Sequence, residues 1–274
     1  MHYRAADPPE SVGWKLAAVN LSDLAAKGAE PVAALLSLAI GDPSEGMAAG
    51  EWEERFLTGL EAACESYGLP LVGGDTIALP EGAPRVLGMT AIGKSDTAPS
   101  RTGARPGDML VLVGTLGDAM AGLALLEADE DAGGVLVEAY RRPVPQLAAG
   151  AALAAHAHAM MDVSDGLLLD ARRMASASGV GVAMDLDALP LSEAFATLRG
   201  VSRDARLFAA TGGDDYALLA AISPEAEQAV RKCLPSGTIM AAIGRVEDGA
   251  GMRLYDAQGP VELPERLGHE HRPY

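Results

Sequence analysis

Four short segments of the chain bring aspartate together with glycine or small polar residues. They are Asn20-Leu21-Ser22-Asp23, Val72-Gly73-Gly74-Asp75-Thr76, Asp162-Val163-Ser164-Asp165-Gly166 and Thr211-Gly212-Gly213-Asp214-Asp215-Tyr216. One or two carboxylates from each of several loops, with water and phosphate oxygens, make the donor set that Mg²⁺ takes. Glycine lets the backbone approach a phosphate closely and turn its N–H groups toward it. Ser164, Asp165 and Gly166 stand where a helix is expected to begin, and the free amides there suit an anion. The chemistry on offer is metal-assisted handling of a phosphate. Any one of these aspartates is explained as well by a helix cap or a turn. Four such loops, in a chain with no P-loop, nucleophile elbow or zinc-protease motif, shift the balance toward chemistry.

Weaker candidates surround them. His156 and His158 lie in an Ala-rich run and read as core or surface before ligand. Arg101 divides evenly between a solvated loop charge and a phosphate contact. Gly117-Asp118 resembles a phosphate turn but is equally an N-cap. Met160 and Met161 read as core, and Glu127–Asp131 as a solvated loop.

Composition narrows the partners. The 274 residues carry 38 acidic and 21 basic side chains, a formal charge of −17. Such a surface repels nucleic acid and anionic membrane, and it repels a bare nucleotide unless metal cations mediate. Aromatics are only 4% of the chain, so Ala, Val and Leu must build the core. Cys64 and Cys233 are far apart, which gives neither a disulfide framework nor a zinc site. The first residues lack the apolar stretch of a signal peptide, and no apolar run reaches bilayer length. The expectation is a reduced, soluble, cytoplasmic protein.

The elements that must position these loops follow from periodicity. Helices are expected over 10–28, 47–67, 115–127, 133–141, 145–158, from Gly166 to about Ser178, and near 224–234. Strands are expected over 31–40, 69–74, 85–94, 109–113, 159–163, 180–186, after Asp215 to Ile222, and near 238–246 and 252–256. Segment 95–108 is rich in turn formers and marks a boundary. The expected class is α+β, with mixed sheets in two domains, 1–98 and 99–274. A strand followed by Gly-Gly-Asp recurs weakly at 73–75 and 212–214.

The stretches LAAVNLSDLAAKGAEP, LPLVGGDT, SRTGARPGD, GTLGDAMAGL, MDVSDGLLLD and TGGDDYALL occur in this order. In them the chain resembles the thiamine-monophosphate kinases, of the superfamily of aminoimidazole ribonucleotide synthetase, selenophosphate synthetase and the hydrogenase-maturation dehydratase. The resemblance implies the two mixed α/β-sandwich domains of that superfamily, with ATP and Mg²⁺ bound by the N-terminal one. It implies transfer of the γ-phosphoryl group of ATP to thiamine monophosphate, by a homodimer. By motif position it implies Asp23, Asp75, Asp162 and Asp165 as Mg²⁺ ligands and Gly74, Asp75, Arg101 and Ser164 as ATP contacts. It implies His2, Asp214 and His269 as substrate contacts, Asp214 standing where the family usually has Glu and His269 where it often has an aromatic.

A phosphate acceptor, largely a dianion at neutral pH, needs no strong base, and none is assigned. The resemblance also implies acidic metal-binding segments ahead of Met1, as if the chain started at an internal GTG codon. Without them the expectation is weak or absent kinase activity. The competing expectations are another ATP-using member of the superfamily, selenophosphate synthetase-like or hydrogenase-maturation-like, and a non-catalytic nucleotide- or metal-binding protein.

Overall fold

The computed structural model describes residues 3–41, 47–48, 50–80 and 82–270. The first part runs α1 (Pro9–Ala25), β1 (Glu30–Ile40), α2 (Glu51–Tyr67), β2 (Leu71–Ala78) and β3 (Val86–Lys94). Its sheet has the order β2-β1-β3, with β1 parallel to β2 and antiparallel to β3. β1 alternates as a strand covered on one face should. Ala34, Leu36 and Leu38 pack against Leu21, Phe56 and Leu60 of the two helices, while Leu35 and Ser37 face outward. All eight residues of β2 are exposed.

One expectation fails here. The sequence reading ends the strand at Gly74 and puts Gly-Gly-Asp in a turn. β2 instead continues to Ala78, pairing Gly74 with Leu36, Asp75 with Ser37 and Thr76 with Leu38. Ladder hydrogen bonds to β1 outweigh the weak strand preference of two glycines. The two Gly-Gly-Asp segments therefore do not share a local structure, since the second follows a helix.

The second part holds seven strands. They are β4 (Met109–Val113), β5 (Ala157–Val163), β6 (Gly181–Asp185), β7 (Ala217–Ile222), β8 (Met240–Glu247), β9 (Gly251–Asp256) and β10 (Gly259–Val261). Their order is β10-β9-β6-β8-β4-β7-β5, antiparallel throughout except for β6 with β9. Interspersed are α3 (Asp118–Ala128), α4 (Val135–Arg141), α5 (Leu147–Ala154), α6 (Leu167–Ser178), α7 (Glu193–Arg199), α8 (Arg203–Thr211) and α9 (Glu227–Cys233).

The unbroken apolar runs MLVLV and ALLAAI have a simple cause. Leu110, Leu112, Leu219 and Ala221 enter a core with α6 and α8. Val111, Val113, Leu218 and Ala220 enter a second core on the opposite face, with α5 and α9. A strand buried on both faces has no reason to alternate. Ala25 and Ala26, at the end of α1, belong to this second core, which ties α1 to the larger sheet.

Two further expectations are corrected. The helix read over 145–158 stops at Ala154, and His158 lies in β5 at a register shift in the pairing with β7, between Ala157 and Ala159. Alanine's helix preference yields there to a strand buried at its centre. His158 Nδ1 lies 2.9 Å from Asp108 Oδ1, a contact remote from the aspartate loops. Helices α7 and α8, each opened by a serine cap, Ser192 and Ser202, fall in a stretch for which no element was expected. The class stands as read: α+β, with two mixed sheets.

Candidate functional site

α1 supplies one wall of a cleft and the loops of the larger sheet supply the other. The cleft has a volume of about 970 Å³, and Lys15, Asp23, Asp162, Ser164, Asp165, Asp214 and His269 line it. Lys15 and Ser22 are seven residues apart, two helical turns, and so share a face of α1. Asp162 is the next-to-last residue of β5, and Ser22 Oγ donates to its Oδ2 at 2.9 Å.

Both Asp162 and Asp23 are shifted upward. Loss of water and the Asp23 carboxylate push Asp162 up to about 6, against the hydrogen bond from Ser22. Loss of water also raises Asp23, with Lys27 and Arg101 pulling the other way. Arg101 is thus close enough to act on Asp23, although it does not line the cleft. Lys27 is turned aside, donating to the Pro99 carbonyl at 3.0 Å.

The loop 164–166 is shaped by α6. Asp170 is fully buried, and its Oδ2 accepts the N–H groups of Ser164 and Asp165, both at 3.1 Å. Arg173 donates to Asp170 Oδ1 at 2.8 Å and to Asp165 Oδ2. One arginine therefore ties the candidate ligand Asp165 to the residue that shapes its loop. The loop before β7 packs against this one. A Cβ on Gly213 would stand 2.6 Å from the Ser164 carbonyl, so only glycine fits. Residues 268–269 pack on the Asp165 loop: His269 N–H donates to the Asp165 carbonyl at 2.8 Å, and Gly268 makes that approach possible.

The two aspartates before Tyr216 have separate fates. Asp214 faces the cleft and binds Lys15 Nζ at 2.6 Å and the Tyr216 hydroxyl at 3.1 Å. Asp215 turns inward and accepts from the Gly117 and Ala119 amides at the start of α3. Burial drives its carboxyl well above the ordinary range. It is a buried cap, not a site residue.

Asp23, Asp162, Ser164, Asp165, Asp214 and His269 thus line one cleft, drawn from parts of the chain up to 246 residues apart. Gly74 and Asp75 are not in that lining. Asp75 is paired with Ser37 on the sheet face turned away from α1 and α2. His2 lies outside the described residues. Lys15, Asp170 and Arg173 are additions to the expected site, and Ser22 and Tyr216, inside the segments singled out by sequence, gain roles there. The seven-residue spacing of Lys15 and Ser22, and Asp170 four residues past Gly166, are the signals that were available.

Among the described residues no group of three or more His, Cys, Asp or Glu side chains is drawn together in a metal-binding cluster. The donors nevertheless suit Mg²⁺. Asp23 and Asp162 form a mutually repelling carboxylate pair on the cleft wall. Mg²⁺ commonly takes one or two carboxylates and completes its shell with water and phosphate oxygens.

Two packed α+β units, with acidic loops converging on the cleft between them, define the class. Residues 1–95 match the AIR synthase related protein N-terminal domain, and residues 105–257 match its C-terminal domain. The thiamine-monophosphate kinase of Caulobacter vibrioides is 37% identical over 99% of this chain and 77% of its own length. The crystal structure of the Stenotrophomonas maltophilia thiamine-monophosphate kinase superposes with a TM-score of 0.80 at 35% identity, covering 93% of this chain and 81% of that one. A structure of AaThiL complexed with AMPPCP and TMP superposes with a TM-score of 0.81 at 32% identity, covering 98% and 83%. The chain belongs to the thiamine-monophosphate kinases of the AIR synthase related family.

Proposed function

We propose that this cleft transfers the γ-phosphoryl group of ATP to the phosphate of thiamine monophosphate, giving thiamine diphosphate and ADP. One observation carries the reading. Three of the four acidic segments named by motif, those of Asp23, Asp162–Asp165 and Asp214, meet in a single cleft, in a chain with the fold of a relative bound to an ATP analogue and TMP. The acceptor phosphate is largely a dianion at neutral pH and attacks without a strong base. The obstacle is repulsion between two polyanions, made worse by the carboxylates themselves.

Asp23, Asp162 and Asp165 would hold Mg²⁺, which offsets phosphate charge and aligns the donor and acceptor phosphates. The Ser164 and Asp165 amides, fixed by Asp170, hold the loop in shape. Arg101 adds positive charge beside Asp23, a setting that suits contact with ATP. Asp214 and His269 would meet the acceptor in this cleft, which half-buried Tyr3 also lines.

Homodimerisation is part of the proposal. β2 is exposed along its whole length, with Val72 at 63% and Ile77 at 53%, and Val32, Leu35 and Ile92 extend the apolar face. Such an edge and face suit cover by a second copy. Gly74 and Asp75 enter the nucleotide and metal set only through that cover, because their strand is the exposed edge. A cytoplasmic setting accords with two free thiols, Cys64 and Cys233.

The test is formation of thiamine diphosphate from thiamine monophosphate, ATP and Mg²⁺, with one ADP per product. Absence of both product and thiamine monophosphate binding, in a chain that retains its fold by circular dichroism, would overturn the reading. Light scattering tests the dimer, and a monomer at micromolar concentration would sink that part.

A further inference from the structure

We infer that Lys15 is a positioning residue that acts through Asp214, fixing how the cleft reads the organic end of the acceptor. The inference rests on the proposed transfer to thiamine monophosphate.

Lys15 is only 5% exposed. Burying an ammonium costs free energy unless it is paired, so its partners matter. Its Nζ donates to Asp214 Oδ2 at 2.6 Å, across 199 residues of sequence. It also stands 3.9 Å from the centre of the Tyr140 ring, over the negative face. That ring is held in turn, because the Tyr140 hydroxyl donates to buried Asp7 at 3.2 Å. The other oxygen of Asp214 accepts from Tyr216 at 3.1 Å. Each oxygen of the carboxylate is thereby fixed by a donor from a different element.

The backbone is arranged to the same end. Asp214 (φ 67°) and Tyr216 (φ 51°) adopt left-handed conformations that non-glycine residues seldom take. Backbone bonds from Asp214 to Ser164 and from Tyr216 to Val163 hold them there. Strain of this kind persists where surrounding contacts over-determine it, often at ligand-binding sites.

A plain staple between α1 and the larger sheet would need none of this to face the cleft. Yet Lys15, Tyr140, Asp214 and Tyr216 all line it, and the Asp214 side chain keeps 32% exposure. A carboxylate has about four acceptor sites, and Lys15 and Tyr216 each occupy one. The others are available to a ligand donor or cation. Thiamine monophosphate brings both, an amino group and a permanently positive thiazolium. With Lys15 and Tyr216 each holding one oxygen, the remaining acceptor sites point in fixed directions, so the acceptor meets Asp214 in one orientation.

The experiment is calorimetric titration of the full chain with thiamine monophosphate in the absence of nucleotide. Lys15→Met should weaken acceptor binding about tenfold, the scale of a lost charge-assisted contact. Binding of AMPPCP with Mg²⁺ should stay within about twofold of the parent. In an Asp214→Asn background, Lys15→Met should change acceptor binding by less than about twofold, because the residue through which it acts is altered.

An unchanged acceptor affinity in Lys15→Met overturns the inference, and so does an equal loss in both backgrounds. Failure of the parent chain to bind thiamine monophosphate overturns the substrate reading, and this inference with it. Should Lys15→Met not fold, Tyr216→Phe removes the other donor without removing charge. It should weaken the acceptor about threefold in the parent background and not at all with Asn at 214; no loss in the parent background, or the same loss in both, overturns the inference.

Discussion

Replacing Asp170 by alanine tests whether the acidic loop is held from below, by a residue that touches no ligand. Asp170 is wholly buried in the first turn of α6 and accepts three hydrogen bonds. Two come from the Ser164 and Asp165 amides and one from Arg173. Alanine leaves both amides without that acceptor, at about 1–3 kcal/mol each. Part of this is offset, since burial already raises the Asp170 carboxyl and the mutant no longer desolvates a charge. Arg173 is 36% exposed and regains water, so its loss counts for little.

The net cost is about 2–4 kcal/mol, or roughly 4–8 °C in melting temperature for a chain of this size. Asp165 also loses the frame that aims it, so the Mg²⁺ concentration for half-maximal turnover should rise at least about fivefold. Scanning calorimetry and Mg²⁺-dependent kinetics read the two effects. Asp170→Asn keeps one acceptor oxygen and should lose about half as much stability. A fall of less than about 1 °C in the alanine variant would refute the reasoning, because two buried amides cannot lose their acceptor without cost.

Three further outcomes are expected. Asp162→Asn removes one of two mutually repelling carboxylates and keeps an acceptor for Ser22; the ligand-free protein should melt about 2–4 °C higher while turnover falls at least about a hundredfold. A lower melting temperature would contradict the repulsion between Asp23 and Asp162. Burial and nearby carboxylates raise the phenols of Tyr140 and Tyr216. The stability tied to them is fully present below the unfolded value near pH 10 and is lost as pH rises through the higher folded one. Tyrosinate absorbance at about pH 11 should therefore be the same for the parent, Tyr140→Phe and Tyr216→Phe while each stays folded. Cys233 is exposed and Cys64 buried with its thiol pushed up, so a thiol reagent should modify Cys233 at once and Cys64 only on unfolding. Equal rates at the two would count against the packing of α2.

The loops were legible because their local chemistry is local in sequence. Asp162-Val163-Ser164-Asp165-Gly166 ends β5 and precedes α6, as strand and helix periodicity indicate. Thr211-Gly212-Gly213-Asp214-Asp215 leads into β7 in the same way. The first Gly-Gly-Asp was misread, because only pairing with β1 reveals that it continues a strand. His158 was misread for the same reason, its helical neighbourhood yielding to β7. Asp214 and Asp215 are adjacent and chemically identical, yet one lines the cleft and the other caps α3.

The sequence by itself determined the acidic, base-poor character of the cleft, the two mixed sheets and the loops that carry the aspartates. Those properties follow from residue type and short-range spacing. Tertiary structure alone decided which carboxylates meet. Lys15 reaches Asp214 and Ser22 reaches Asp162 only because the end of α1 packs into the core beneath β4, β5 and β7. Such contacts join residues more than a hundred positions apart, and no pattern of spacing along the chain encodes them.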